Sequence, residues 1–63
     1  MSKLIDLEKN EEREVDTSAL GFANWVKLNF GMWGFYKICK VKANCYHIYN
    51  KFEGDKLVYK VVK

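Results

Sequence analysis

Residues 35–62, FYKICKVKANCYHIYNKFEGDKLVYKVV, decide the fold. Three runs rich in Tyr, Val, Ile and Phe (Phe35–Lys42, Cys45–Phe52 and Leu57–Val62) are separated by turn residues. That is the pattern of consecutive antiparallel strands. In the second turn Gly54 stands first in a two-residue Gly54-Asp55 loop, a type II′ signal. This loop sets Phe52 opposite Leu57, Asn50 opposite Tyr59 and Ile48 opposite Val61. The first turn has two readings. A two-residue Ala43-Asn44 loop asks Ala43 for a positive φ, which is sterically costly. A three-residue loop gives that role to Asn44 but slips the register by one, and a one-residue slip exchanges the two faces. The apolar pattern favours the two-residue loop, because it alone sets Phe35, Cys39 and Val41 beside Phe52, Ile48 and Tyr46.

In this register one face carries Phe35, Cys39, Val41, Tyr46, Ile48, Phe52, Leu57, Tyr59 and Val61, and it reads as the core face. Lys37 and Asn50 fall on it as well, to be satisfied by snorkelling and by backbone partners. The opposite face alternates lysines with aromatic and β-branched residues and holds no acid. Its rows run Tyr36–Lys51–Val58, Ile38–Tyr49–Lys60 and Lys40–His47–Val62. Tyr supplies rigid amphipathic contact area and Lys supplies attraction to acidic groups. Tyr36, Lys40, His47, Tyr49, Lys51 and Lys60 are therefore the candidate partner-binding residues.

Upstream, Asp16, Thr17 and Ser18 are all N-cap residue types. Behind them Ala19, Phe22, Ala23, Val26, Phe30 and Trp33 recur at helical spacing, which predicts a helix over about 18–30 covering the core face. The segment Trp25–Phe30 also alternates like a strand, so both readings stay open there. Residues 3–15 are dominated by Leu, Lys, Glu and Arg, good helix formers. Their apolar stripe is poor: Leu4, Glu8, Glu11 and Val15 share one helical face. The expected architecture is α+β, with an acidic helical arm (1–16) and a single small domain (17–63) in which one helix packs on a three-stranded antiparallel β-meander.

Charge divides along the chain. Residues 1–31 hold four basic and six acidic side chains, and residues 32–63 hold seven lysines against Glu53 and Asp55. The whole chain of 63 residues carries a net charge of +3. Such an asymmetry concerns partners and association rates rather than fold. About 60 residues is close to the lower limit for one hydrophobic core, so these residues are expected to form one domain. The first residues lack the apolar stretch of a signal peptide, and no run approaches a membrane span.

No catalytic set emerges. His47 is the only histidine and has no acid or serine on its face. The glycines occur singly, so no phosphate-cradling loop is present. Cys39 and Cys45 fall on opposite faces in this register, which argues against a mutual disulfide. Cys45 and His47 would supply only two of the four ligands of a structural zinc. We expect no enzyme activity, no cofactor and no metal. The expected role is a cytoplasmic regulator or inhibitor that docks its basic, tyrosine-bearing face on an acidic surface of a partner protein. Only in size and composition is it similar to small inhibitors encoded by phages and mobile elements. The alternative is a DNA- or RNA-binding module using the same lysines and tyrosines. A homodimer is a further expectation, since small cores gain stability from association.

Overall fold

The computed structural model describes residues 2–32 and 34–63. Trp33, expected on the helical stripe, lies outside them. The elements are β1 (Ser2–Asp6), β2 (Glu11–Val15), α1 (Phe22–Phe30), β3 (Tyr36–Lys42), β4 (Cys45–Asn50) and β5 (Lys56–Val62), with a 3₁₀ turn at Lys51–Glu53 between the last two strands. The strands form one five-stranded sheet in the order β2-β1-β5-β4-β3, antiparallel throughout. The expected three-stranded meander with a helical arm is thus corrected: the arm is a β-hairpin.

Local chemistry explains that hairpin. Asp6 closes strand β1 by accepting the backbone N–H groups of Glu8 (3.0 Å) and Lys9 (3.1 Å) on Oδ1. Asn10 then turns the chain with φ 54°, a left-handed conformation that Asn tolerates better than most residues. β1 is held on both sides, with Leu4 opposite Arg13 of β2 and Val61 of β5. Helix propensity in 3–15 spans only tenths of a kcal/mol per residue, and tertiary pairing overrides it.

The second expected helix exists but is shorter than 18–30. The three N-cap candidates are engaged elsewhere. Asp16 Oδ1 accepts from the backbone N–H (3.0 Å) and hydroxyl (2.6 Å) of Ser18, and the buried hydroxyls of Thr17 and Ser2 share a hydrogen bond of 2.9 Å. The N-cap is Gly21, at φ 85° and ψ 152°, a region open essentially to glycine. At the other end the Gly31 N–H donates to the Lys27 carbonyl, and a Cβ on Gly31 would stand 2.7 Å from that oxygen. Trp25–Phe30 is helical, not a strand.

The core lies between α1 and one face of the sheet. Val26, Ile48 and Val61 are fully buried, joined by Leu4, Phe22, Phe30 and Tyr46. Each such side chain contributes roughly 1.5–3 kcal/mol by leaving water. Tyr36, Ile38 and Tyr59 pack against its margin. Among the described residues no helix is long and apolar enough to cross a membrane.

Two bulges reset the expected register. Lys42 does pair with Cys45 across a two-residue turn, but Val41 is an extra residue, so from Lys40 back to Tyr36 the pairing is shifted by one. Every side chain of that stretch changes face. Tyr36 and Ile38 turn toward the helix, while Phe35, Cys39 and Val41 are exposed. β4 and β5 pair two residues away from expectation, Ile48 with Tyr59 and Tyr46 with Val61, which preserves the faces of those four residues; past the bulge Leu57 pairs with Tyr49 and so stands on the open face, not on the core face where it was expected. The extra residue there is Val58, which is buried outside the core cluster and whose carbonyl accepts from the Leu7 N–H at 2.9 Å. The expected type II′ turn is replaced by the 3₁₀ turn and by positive φ at both Gly54 and Asp55. Phe52 consequently leaves the strand and is 74% exposed instead of joining the core.

Candidate functional site

Among the described residues α1 is the only α-helix, and it packs on one face of the sheet, leaving the other, here called the open face, without a helix. Alternation from the buried Tyr46 and Ile48 puts Cys45, His47 and Tyr49 on the open face. Cross-strand pairing extends that set sideways. One row runs Cys39–His47–Lys60–Ile5–Glu12, a second Lys42–Cys45–Val62–Lys3–Glu14, and a third Lys37–Tyr49–Leu57. The His47 and Tyr49 rings meet edge-on, with centroids 6.4 Å apart at 65°.

The six expected contact residues therefore divide. His47, Tyr49 and Lys60 share the open face, and His47 lies directly opposite Lys60. Lys40 pairs with the buried Tyr46 and so belongs to the helix side. Tyr36 is also on the helix side, packed edge-on against Phe30 (5.4 Å) and Tyr59 (6.0 Å). Lys51 sits in the 3₁₀ turn, off the strands. In exchange the bulge at Val41 brings Lys37 to the open face, where it stands opposite Tyr49. Its displacement came from a one-residue slip that no local motif announces. The expected platform is thus smaller and differently composed: Lys37, Lys42 and Lys60 around His47, Tyr49, Val62 and Leu57.

The electrostatics of this face are graded. Over β3, β4 and β5 the charged groups are lysines only, whereas β2 contributes Glu12 and Glu14. Between them Lys3 Nζ meets Glu12 Oε1 at 3.0 Å, with both side chains about half exposed. The hydrogen bond and charge of Glu12 hold the Lys3 ammonium above its ordinary pKa. The acidic end is therefore partly neutralised internally, whereas the lysines of β3 and β5 make no ion pair among the described residues.

The thiols also move relative to expectation. Cys39 and Cys45 share the open face rather than lying on opposite faces, and Cys39 is directly opposite His47. Cys45 sits two positions from His47 along the same strand, a separation of about 7 Å. Among the described residues no three His, Cys, Asp or Glu groups converge closely enough to hold a metal ion.

No protein-family model matches the chain, and no curated protein or solved structure shows significant similarity to it.

Proposed function

We propose that this chain is a small non-enzymatic binding protein, a regulator or inhibitor that docks the open face of β3, β4 and β5 on an acidic surface of a partner protein. The observation that carries this reading is the row structure of that face. Lys37, Lys42 and Lys60 surround Tyr49, His47 and half-buried apolar groups, on the face of the sheet opposite to the one that α1 covers. An apolar and aromatic centre with a charged rim is the usual anatomy of a protein interface. Two free cysteines fit a reducing compartment, the cytoplasm. A protein partner is favoured over nucleic acid because the net charge is only +3 and the lysines surround an apolar and aromatic centre rather than forming a continuous basic stripe. The one arginine, Arg13, lies on the other side of the sheet, opposite Leu4.

The test compares lysines on the two faces. Tagged protein should recover a partner from lysate of its source cells. Lys37→Glu with Lys60→Glu should abolish that recovery, while Lys40→Glu should leave it intact, with native circular dichroism in each case. Equal recovery by all variants removes the open face as the contact. Binding to DNA or RNA that weakens by about one log unit per phosphate contact for each tenfold rise in salt would move the protein to the nucleic-acid class.

A further inference from the structure

Two features at opposite edges of the sheet have no role in the docking face. The first is a groove of about 530 Å³ between α1 and the β1–β2 hairpin, floored by Leu4, Trp25, Phe30 and Tyr59. Phe30 touches both other rings, at 6.2 Å from Trp25 and 5.3 Å from Tyr59. Glu11 and Arg13 stand on its β2 side, and Arg13 makes no ion pair among the described residues. The second feature is a protruding pair of rings. Phe35 is 48% and Phe52 74% exposed, and their centroids lie 5.4 Å apart. The pair is held in place: the Lys51 N–H donates to the Phe35 carbonyl at 3.0 Å, and the Phe52 N–H to Asn50 Oδ1 at 2.9 Å. An exposed aromatic pair fixed by its own backbone is preorganised for contact, which lowers the entropy lost on binding.

We propose that the groove receives the Phe35–Phe52 pair of a second copy of this chain, so that copies associate head to tail. The groove's volume lies in the roughly 300–1,000 Å³ range of small-ligand pockets, room enough for two phenyl rings, with Leu4, Trp25, Phe30 and Tyr59 as the apolar part of an otherwise largely charged and polar lining. Charge matches on both scales. Phe52 is flanked by Lys51 and Glu53, and the groove is lined by Asp6, Glu11 and Glu12 together with Lys9 and Arg13, a slight acidic excess. The groove belongs to the acidic half of the chain and the ring pair to the basic half, which orients the encounter. The hairpin strand β2 and the strand β3 that follows Phe35 are at opposite edges of the sheet. One molecule therefore cannot fill its own groove, and a contact between two different patches does not close unless the copies form a ring. The contact area is small, so the association is weak and concentration-dependent.

The experiment is a sedimentation series reaching about 1 mM, where a contact worth only ~4 kcal/mol is half formed. The average mass should rise with concentration and pass that of a dimer. Phe52→Ser removes the projecting ring, and Asn29→Trp fills the groove from an exposed helix position that lines it. Each variant alone should remain monomeric, because each lacks one half of the contact. Mixed, they should form a 1:1 dimer that grows no further, since one supplies the groove and the other the rings. Circular dichroism checks that both fold. If Asn29→Trp does not fold, Arg13→Glu takes its place and should weaken association several-fold, with Glu53→Arg restoring it. A wild-type monomer throughout the series overturns the proposal. So does a mixture that stays monomeric, or wild-type association that stops at a dimer and is unaffected by filling the groove, which would indicate symmetric packing of the rings on each other.

Discussion

The two edge hairpins make an instructive contrast. The β3–β4 hairpin is built from strand-forming residues, yet its face assignment depends on a single extra residue, Val41. The β1–β2 hairpin is built largely from helix-forming residues, yet pairing with β5 settles its structure. The outer strands also differ in sign. β2 exposes Glu11, Glu12 and Glu14 around Arg13, and β3 exposes Lys37, Lys40 and Lys42. Charged side chains and bulges keep open edges from pairing with other sheets. Here two like edges repel each other. The lesson is that composition decides strand or helix only where the neighbours leave the choice open.

The contrast can be broken by mutation. The largest effect is expected at the fully buried centre of the β3–β4 hairpin. Ile48→Ala should cost about 2–5 kcal/mol. A core of this size rarely supplies more than about 3–5 kcal/mol, so thermal denaturation should show little or no folded protein at room temperature. Next, Leu4→Ala should cost about 2–3 kcal/mol in denaturant titration, because Leu4 belongs to the buried cluster. A silent Leu4→Ala would mean that the N-terminal hairpin is not docked. A smaller effect is expected at the hairpin turn. Asn10→Ala should cost about 1–2 kcal/mol because φ is 54° there, and Asn10→Gly should be close to neutral. Equal effects of Ala and Gly would argue against this turn.

The smallest effect is one of pH. Burial, and then the neighbouring Tyr36 and the carboxylates of Asp6 and Glu8, hold the Tyr59 phenol above its ordinary value of 10.0. The fold thus favours the neutral phenol. That stabilisation is complete below pH 10 and is lost as pH rises through the folded value. Melting temperature should fall on the alkaline side, and Tyr59→Phe should flatten part of that decline. An unchanged alkaline slope in Tyr59→Phe would show that other groups account for it.

Legibility in the sequence follows the same division. The three C-terminal strands and the helix at Phe22–Phe30 announce themselves through β-branched and aromatic runs and through helical spacing. The five-stranded sheet does not, because Glu11–Val15 offers only one apolar side chain and looks like a helix surface. A warning was present: a helix over 3–15 would have had almost nothing to bury, and such helices are marginal. Lys9-Asn10 between Ile5 and Val15 is the turn signal that competes with it. The candidate face was legible at His47, Tyr49 and Lys60, whose strands kept their faces. It was illegible at Lys37, Lys40 and Tyr36, because a bulge has no local signature when the tip of the hairpin looks regular.

The face assignment on which the docking account stands can be read from one nuclear Overhauser spectrum of the unmodified protein. The Tyr36 ring should show contacts to Phe30 and Tyr59, with His47 reaching Lys60. Contacts from the Tyr36 ring to Lys51 and Val58 instead would place it among the open-face lysines and contradict the structure described here.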